Sequence, residues 1–449
     1  MGKAIVPCPI SRMSIARTIC LGFLAAIAAG TLLLLLPFAT DSSGWGDPLV
    51  ALFTATSAVC VTGLIVVDTG SYFSGWGEAI VLLLMQIGGL GYMTSNTLLV
   101  LLVGRRFDLR QKFAIQETFD QPMLQGSRNL VGSIVVMTLA FEAVGFVLLL
   151  DLFAADYGWG RSAWLALFHS VSAWNNAGFS LFEDSLMAYR DSLQANAVFA
   201  AAIVLGGLGY QVIIELYGRA IDWWRRNPRR YLPSLNFKVV TSTTALLLVA
   251  GTLLLWLTDL HRLQAAGMLA AGFQSVTART AGFNTIDIAQ LSTAGLFATI
   301  ALMFVGASPS GTGGGIKTTT LRILSACTRA TLQGKREVTL YERRLPTVVI
   351  FKAVGVAFGS VAAILAGTIL VSLTDPGFPF IQVLFEVTSA FATVGLSTGI
   401  TGDLSIPGKL VLVCTMYVGR VGILVFVGAI LAPPRRRALE YPEETLMVG

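Results

Sequence analysis

Eight long apolar stretches dominate this sequence, and they restrict the chain to folds that span a lipid bilayer. A helix needs about 20 apolar residues to cross the hydrocarbon core. Only 12% of the 449 residues are charged, whereas soluble domains contain about 25%. We therefore predict an all-α integral membrane protein with eight transmembrane helices. Five stretches are uncharged, at 18–40, 79–104, 192–214, 239–258 and 353–374; the other three, at 129–150, after Asp287 and at 410–434, are interrupted by Glu142, a break at Gly306 and Arg420.

Between the two members of each successive pair lies a shorter apolar segment that ends near a glycine. Each is too short to cross the bilayer and turn, so a re-entrant half-helix and loop is the simplest interpretation. The fold class predicted is four helix–pore-loop–helix repeats with pseudo-fourfold symmetry. The four segments are 49–64, 163–179, 263–283 and 378–396.

The repeat is visible in the residues themselves. The four loops read FTATSAVCVTGL from Phe53, FHSVSAWNNAGF from Phe168, FQSVTARTAGF from Phe273 and FEVTSAFATVGL from Phe385. A second glycine follows in the next helix, 25, 28, 24 and 24 residues after the loop glycine. Self-similarity at a fixed spacing is the sign of a repeat architecture. The predicted division is an N-terminus at 1–16, repeat 1 at 17–110, a connector at 111–128, repeat 2 at 129–220, a connector at 221–236, repeat 3 at 237–332, a connector at 333–345, repeat 4 at 346–434 and a tail at 435–449.

The basic residues indicate the orientation. If each repeat starts and ends on one side, that side receives 24 of the 31 Lys and Arg residues. Positively charged loops stay in the cytoplasm. We therefore expect a multi-pass protein of the inner (plasma) membrane, with both termini and the three connectors cytoplasmic. The net charge of +6 then reflects orientation in the lipid bilayer and requires no nucleic acid.

Four parallel loops can surround one axis, and this arrangement favours a cation filter. A dehydrated cation needs oxygen ligands, and rings of backbone carbonyls supply them without a full charge. Glycine suits the turn because it tolerates dihedrals that aim successive carbonyls inward. The predicted filter residues are Val61, Thr62, Gly63, Asn176, Ala177, Gly178, Thr280, Ala281, Gly282, Thr393, Val394 and Gly395.

A glycine-rich segment interrupts the third repeat alone. Five glycines and a proline at 306–320 cannot sustain a helix, and irregular backbone at membrane depth survives only in protein or beside water. A gating loop beneath the filter is the favoured interpretation; a simple helix break and a phosphate-binding loop, which would need glycine in place of Ile316, are the alternatives. The predicted gate residues are Gly306, Ser310, Gly311, Gly313, Gly314, Gly315, Lys317 and Arg420.

Arg420 lies mid-helix, where a pore-facing position is favoured over the alternative of an ion pair with Glu142. Glu142, Glu386 and Arg279 are three weaker candidates at membrane depth. Glu386 and Arg279 are expected to brace filter loops by hydrogen bonds. With two histidines and five scattered cysteines, the chain shows no metal or nucleophile pattern, so an enzyme is not expected.

The tetrapeptides VTGL, NAGF, TAGF and TVGL are similar to the TVGYG filter of potassium channels. Residues 17–434 resemble the Trk/Ktr/HKT superfamily of potassium transporters, and within it the membrane subunit (KtrB) of Ktr potassium uptake systems. The resemblance implies potassium preference, because all four loops carry the filter glycine, and potassium held by the filter carbonyls.

The resemblance also implies partners and regulation. It predicts a homodimer, a cytosolic KtrA-like ring subunit that binds nucleotide, sodium (Na+) as an activator and no organic cofactor. The parallel repeats favour a channel-like mechanism for potassium (K+), because ion-coupled carriers often have inverted repeats. A secondary ion-coupled transporter of another cation or solute remains the alternative.

Overall fold

The described helices follow the predicted order of four consecutive units. The computed structural model describes residues 15–42, 44–102, 127–224, 233–259 and 267–430. Within these ranges, each unit has a first helix, a short helix and a second helix. Residues 1–14, most of the predicted connector at 111–128, half of that at 221–236 and the predicted tail at 435–449 lie outside the described residues.

Units 1 and 2 begin the chain. In unit 1 the first helix is Ile15–Leu34, the short helix Pro48–Val59 and the second helix Gly75–Leu102, with one extra turn at Thr69–Tyr72. In unit 2 the first and short helices form one run, Ser127–Trp174, which is interrupted at Gly158, where φ is 71°. The second helix of unit 2 has two parts, Leu193–Leu208 and Tyr210–Trp224, and follows a 3-10 turn at Met187–Tyr189.

Units 3 and 4 repeat this order. Unit 3 contains Leu235–Thr258, the short helix Gly267–Thr277, a 3-10 turn at Ile288–Gln290, and a second helix in two parts, Thr293–Phe304 and Thr318–Leu332. Two short antiparallel strands, Thr339–Leu340 and Arg343–Arg344, connect the units. Unit 4 contains Thr347–Thr374, the short helix Phe380–Ala392, and a second helix in two parts, Ile406–Val421 and Ile423–Ile430.

The first helices are the long apolar elements of the four units. Four helices among the described residues are long and apolar enough to cross a bilayer, and two bent pairs meet the same test together. The four are Ala16–Leu34, Val131–Trp174, which includes the interruption at Gly158, Leu235–Thr258 and Thr347–Thr374. The first described part of the second helix of unit 1, Gly75–Gly91, and that of unit 3, Thr293–Phe304, are shorter apolar helices.

Three of the second helices are broken, and the sequence predicted only the break in unit 3. The parts meet at 106° in unit 2 and at 99° in unit 4. The breaks occur at Gly209 and Gly422, each with a φ of 87°. Only glycine adopts such dihedrals without steric cost. Because glycine has no polar side chain, the hydropathy of the sequence does not show where these helices break.

Serine residues determine where the second helices start. Ser192, Ser292 and Ser405 each precede a second helix and accept a hydrogen bond from the amide three residues later, while Ser74 accepts one from Gly77 in unit 1. Such N-caps satisfy amides that have no partner within the helix.

Aspartates join the first helix to the second in units 3 and 4. Asp259 accepts from the amide of Ser292 at 2.8 Å, and Asp375 accepts from the amide of Ser405 at 2.7 Å. Each aspartate follows the last residue of its first helix. The two helices of a unit are thereby held together at one end, with the short helix and its loop between them.

Candidate functional site

The four loops that follow the short helices share one backbone conformation. The residue two positions before each glycine, Val61, Asn176, Thr280 or Thr393, has a φ between 51° and 70°. The four glycines have φ between 73° and 91°. Left-handed dihedrals are uncommon at residues other than glycine, so their recurrence at one position in four loops indicates a common structural requirement. The four glycines are Gly63, Gly178, Gly282 and Gly395.

The four glycines form a closed ring. A Cβ atom on Gly63 would lie 2.9 Å from the Cα of Gly178, and one on Gly178 would lie 3.0 Å from the Cα of Gly282. A Cβ atom on Gly282 would lie 3.2 Å from the Cα of Gly395, and one on Gly395 would lie 3.0 Å from the Cα of Gly63. The loops therefore meet in chain order around one axis, with loops 1 and 3 opposite each other and loops 2 and 4 opposite each other.

The carbonyl group before each glycine lies beside the neighbouring loop. A Cβ atom would lie 2.5 Å from the oxygen of Ala177 at Gly63, 2.8 Å from that of Ala281 at Gly178, and 2.5 Å from that of Val394 at Gly282. At Gly395 it would overlap the oxygen of Thr62. Any side chain at these positions would push carbonyls of the ring apart. The eight predicted filter residues other than the glycines are all completely buried.

Hydroxyl side chains within the short helices support the loops. The amide of Gly63 donates to Ser57 Oγ at 3.0 Å, and that of Gly395 donates to Ser389 Oγ at 3.1 Å. Ser172 Oγ donates to the carbonyl of Phe179 at 2.8 Å. The sequence prediction omitted these residues, although the fourth residue after each repeated phenylalanine is Ser57, Ser172, Thr277 or Ser389. This repeated hydroxyl position was the sequence signal that could have identified the supporting residues.

The glycine-rich segment of unit 3 fills the break in the second helix of unit 2. The amides of Ser308 and Thr312 donate to the carbonyls of Gly207 and Gly206, at 3.0 and 3.2 Å, and the amide of Tyr210 donates to the carbonyl of Ser310 at 3.1 Å. A helix break at membrane depth exposes carbonyls that must find donors within the protein. Backbone amides of the irregular segment in unit 3 therefore satisfy the carbonyl groups exposed at the helix break in unit 2.

The irregular segment is shorter than predicted. It runs from Val305 to Lys317, and residues 318–320 form the first turn of the following helix. Its two ends are joined by the amide of Gly306, which donates to the carbonyl of Ile316 at 2.9 Å. The run of three threonines resumes the helix because no glycine follows Gly315 in this stretch.

The same segment lies against the loops of the glycine ring. Thr312 Oγ1 donates to Trp174 O at 3.3 Å and to Asn176 Oδ1 at 3.2 Å. A Cβ atom on Gly313 would collide with Thr280 Oγ1, and one on Gly314 would collide with Thr393 Oγ1. These contacts place the glycine-rich segment directly beside three of the four loops, at the residue two positions before the ring glycine.

Two cationic side chains bind carbonyl groups of this segment. Arg420 Nη1 donates to the carbonyl of Thr312 at 2.5 Å, and Nη2 donates to the carbonyl of Gly88 at 2.6 Å. Lys317 Nζ donates to the carbonyl of Gly313 at 2.7 Å. Arg420 is almost completely buried, with 3% of its surface exposed, so its charge lies inside the protein beside the segment. Gly88, which supplies the second carbonyl, was not predicted as a gate residue.

The weaker sequence candidates lie behind the loops. Glu142 accepts from Gln86 Nε2 at 3.2 Å and from Asn175 Nδ2 at 3.1 Å, and no ion pair joins it to Arg420 within the described part of the chain. Arg279 donates to the carbonyl of Thr244 at 3.3 Å, which links the third loop to the first helix of its own unit.

Comparison with known proteins shows similarity along nearly the whole chain. The chain is 38% identical to the Ktr system potassium uptake protein B of Vibrio alginolyticus, over 96% of this chain and 94% of that protein. It is 34% identical to the protein of the same name from Bacillus subtilis, over 96% of each. It is 35% identical to the potassium/sodium uptake protein NtpJ of Enterococcus hirae, over 98% of each.

The fold has a solved counterpart. The crystal structure of the potassium transporter TrkH from Vibrio parahaemolyticus matches with a TM-score of 0.73, over 94% of this chain and 86% of that one, at 19% identity. This likeness confirms the predicted fold class. The sequence model of TrkH, described as a cation transport protein, matches residues 22–434. Since that match covers most of the chain and full-length relatives exceed 30% identity, the protein belongs to the TrkH family of cation transport proteins.

Proposed function

We propose that this multi-pass membrane protein is the potassium-conducting subunit of a Ktr-type uptake system. Its family and its relatives are transport proteins rather than enzymes. Two of those relatives are named as potassium uptake proteins of Ktr systems. The observation that carries the proposal is the closed ring of four glycines with matching dihedrals. Such a ring can present backbone carbonyls to a dehydrated cation from four sides.

The proposed filter consists of the three residues at each turn that end in the ring glycines. Four loops of one orientation in a single chain favour a continuous channel-like path over alternating access. The potassium ions are the transported substrate, held by carbonyl oxygens, and the proposal needs no organic cofactor. Fewer ordered ion positions are expected than in a channel with the complete TVGYG sequence, because the first glycine is the only residue of that sequence kept in all four loops.

The proposed gate is the segment 305–317 together with Arg420. The segment occupies the space beside three filter loops, and Arg420 binds it through Thr312. The buried positive charge of Arg420 opposes the passage of a cation. Opening would require the carbonyl of Thr312 to leave Arg420 and the amides of Ser308 and Thr312 to leave the broken helix of unit 2.

Regulation and assembly are further parts of the proposal. Two relatives are named as proteins of a Ktr system, which supports an assembly of several components. The proposed assembly is a homodimer of the membrane subunit with a cytosolic, nucleotide-binding ring subunit that controls the gate. The Enterococcus hirae relative is named for uptake of both potassium and sodium, which supports an interaction with sodium in this family; a role of sodium as an activator is part of the proposal. The positive-inside rule favours the inner membrane with cytoplasmic termini and connectors. On this orientation, the exposed basic hairpin at Arg343–Arg344 faces the cytosol.

The test is uptake in a host that lacks its own potassium uptake systems. Wild-type protein and Gly395→Ser are expressed at equal levels, and fluxes of potassium, rubidium and sodium are compared. Wild type should restore growth at low potassium and prefer potassium and rubidium over sodium. The serine side chain would overlap the carbonyl of Thr62 at a φ of 91°, so Gly395→Ser should lower the potassium-to-sodium ratio.

Other outcomes distinguish the alternative. A secondary transporter would show saturable exchange kinetics and would be indifferent to the ring glycine. An unchanged ratio in Gly395→Ser would refute the carbonyl filter. Gly377→Ser is a suitable control, because nothing lies within 4 Å of a Cβ atom at that position.

A further inference from the structure

One position in the short helices is polar and buried in all four units. The residue after the repeated phenylalanine is Thr54, His169, Gln274 or Glu386, and each is at most 2% exposed. Buried polar side chains need partners within the protein. The hydrogen-bond partners of this residue differ between the units. The two units that share one pattern have loops on opposite sides of the glycine ring.

In unit 4, Glu386 holds the chain just after the filter glycine. Glu386 Oε1 accepts from Ser397 Oγ at 2.7 Å and from the amide of Thr398 at 2.8 Å. Oε2 accepts from Thr401 Oγ1 at 2.8 Å. Ser397 Oγ in turn accepts from the amide of Gly399 at 2.8 Å. The second, third and fourth residues after Gly395 are therefore all held, directly or through one hydroxyl, by this carboxyl group.

In unit 2, His169 makes the same contacts with different chemistry. Its Nδ1 lies 2.8 Å from the carbonyl of Leu165; a carbonyl can only accept, which leaves Nε2 as the acceptor in the neutral ring. Nε2 accepts from Ser180 Oγ at 3.0 Å and lies 3.4 Å from the amide of Leu181. Ser180 Oγ accepts from the amide of Phe182 at 3.0 Å. These are again the second, third and fourth residues after the filter glycine.

Unit 3 lacks this brace. Gln274 occupies the equivalent position, and neither polar atom of its amide has a hydrogen-bond partner among the described residues. The residue two positions after Gly282 is Asn284, whose side chain donates to the carbonyl of Ile286 instead. In unit 1 the corresponding residue is Ile65, which has no hydroxyl group. Serine therefore follows the filter glycine at this distance only in units 2 and 4.

The two braced loops lie opposite each other in the glycine ring. Selection between cations of equal charge depends on the positions of the coordinating carbonyls and on how far they can move. We propose that His169 and Glu386 are positioning residues that restrain filter loops 2 and 4 from behind and thereby set the discrimination between potassium and sodium. This inference rests on the proposed potassium filter. The four loops of the filter then differ in rigidity. Loops 2 and 4 form a restrained pair, and loops 1 and 3 form a less restrained pair.

The test compares matched leucine variants at one position of the repeat. Glu386→Leu and His169→Leu remove the acceptor, whereas Gln274→Leu removes no hydrogen bond seen in the structure. Glu386→Gln keeps an acceptor oxygen for Ser397 and Thr398 and serves as the conservative rescue. Permeability ratios for potassium, rubidium and sodium are measured on protein that elutes as a single folded species.

The expected pattern is specific. Glu386→Leu and His169→Leu should change the potassium-to-sodium ratio by about fivefold to tenfold, the effect of roughly one lost buried hydrogen bond. Glu386→Gln and Gln274→Leu should stay close to wild type. Equal shifts in Gln274→Leu and Glu386→Leu would overturn the proposal, because a merely structural role predicts no difference between units.

Two outcomes separate this inference from the proposed function. A wild-type protein without potassium preference refutes the proposed function, whereas leucine variants that keep the wild-type ratios, whatever those are, refute the brace. If a leucine variant fails to fold, Ser180→Ala and Ser397→Ala remove one donor each and keep the buried acceptor. The double serine variant should then change the ratios, and unchanged ratios would overturn the proposal.

Discussion

Replacing Arg420 by alanine should open the proposed gate. The guanidinium group bridges two elements, because Nη1 binds the carbonyl of Thr312 in the irregular segment and Nη2 binds that of Gly88 in unit 1. A hydrogen bond from a charged donor contributes about 1.5–3 kcal/mol. Of these two bonds, the one to Thr312 holds the segment, so the closed arrangement should lose about 1.5–3 kcal/mol when the guanidinium group is removed.

That loss converts into a change in flux. Each 1.4 kcal/mol is about a factor of ten in an equilibrium constant. If the open state is a minor population, Arg420→Ala should raise it by about 10- to 150-fold. Removal of a buried positive charge beside the filter acts in the same direction. Basal potassium flux into proteoliposomes, without any regulatory partner, should therefore rise by at least about tenfold.

The lysine variant separates the two contributions. Arg420→Lys keeps the charge but loses the planar group that reaches two carbonyls at once, so its flux should lie between those of wild type and Arg420→Ala. Wild-type flux in folded Arg420→Ala protein would refute the clamp. Loss of folded protein with unchanged flux in the remainder would show that Arg420 acts only in stability.

Two further predictions concern the loop and a helix junction. Deletion of 311–315 removes the contacts with Thr280 and Thr393 and should raise basal potassium flux; a deletion variant with wild-type basal flux would argue against gating. At Asp375, burial alone would raise the pKa, but hydrogen bonds from Ser405 and Thr374 and the charge of Lys409 outweigh it and lower the pKa of the carboxyl group. Its stabilisation is thus present above about pH 4 and lost as the pH falls through the lowered folded value. Thermal unfolding in detergent should show Asp375→Asn as less stable at pH 7, with the difference shrinking as the pH falls below about 4; a difference that stays constant as the pH falls would contradict this.

The repeated loops show how far pattern alone reaches. Phenylalanine, a hydroxyl residue four positions later and a glycine recur in all four units at nearly constant spacing. The ring of Gly63, Gly178, Gly282 and Gly395 was predicted because four repeats of one orientation can close around an axis. The same pattern contained the hydroxyl residues and the serines at 180 and 397, but a sequence does not show which polar residues are buried together.

The irregular segment shows where prediction stopped. Its composition excluded a helix, so a break near Gly306 followed from glycine content. The helix that this segment contacts could not be predicted in the same way, because Gly209 breaks an uncharged apolar stretch that has the length of a normal membrane helix. The match between the carbonyls of Gly206 and Gly207 and the amides of Ser308 and Thr312 is a contact between units about 100 residues apart.

Hydropathy, basic-residue bias and the repeat determined from sequence alone that this is a four-unit membrane protein with four re-entrant loops, because each of these signals is local along the chain. Only the tertiary structure decided which loops are neighbours, that Arg420 binds Thr312 and Gly88 while Glu142 binds Gln86 and Asn175, and that His169 and Glu386 hold the residues after the ring glycine in units 2 and 4. These depend on distances between units, and burial in a bilayer forces each polar group to find a partner there, wherever in the chain that partner lies.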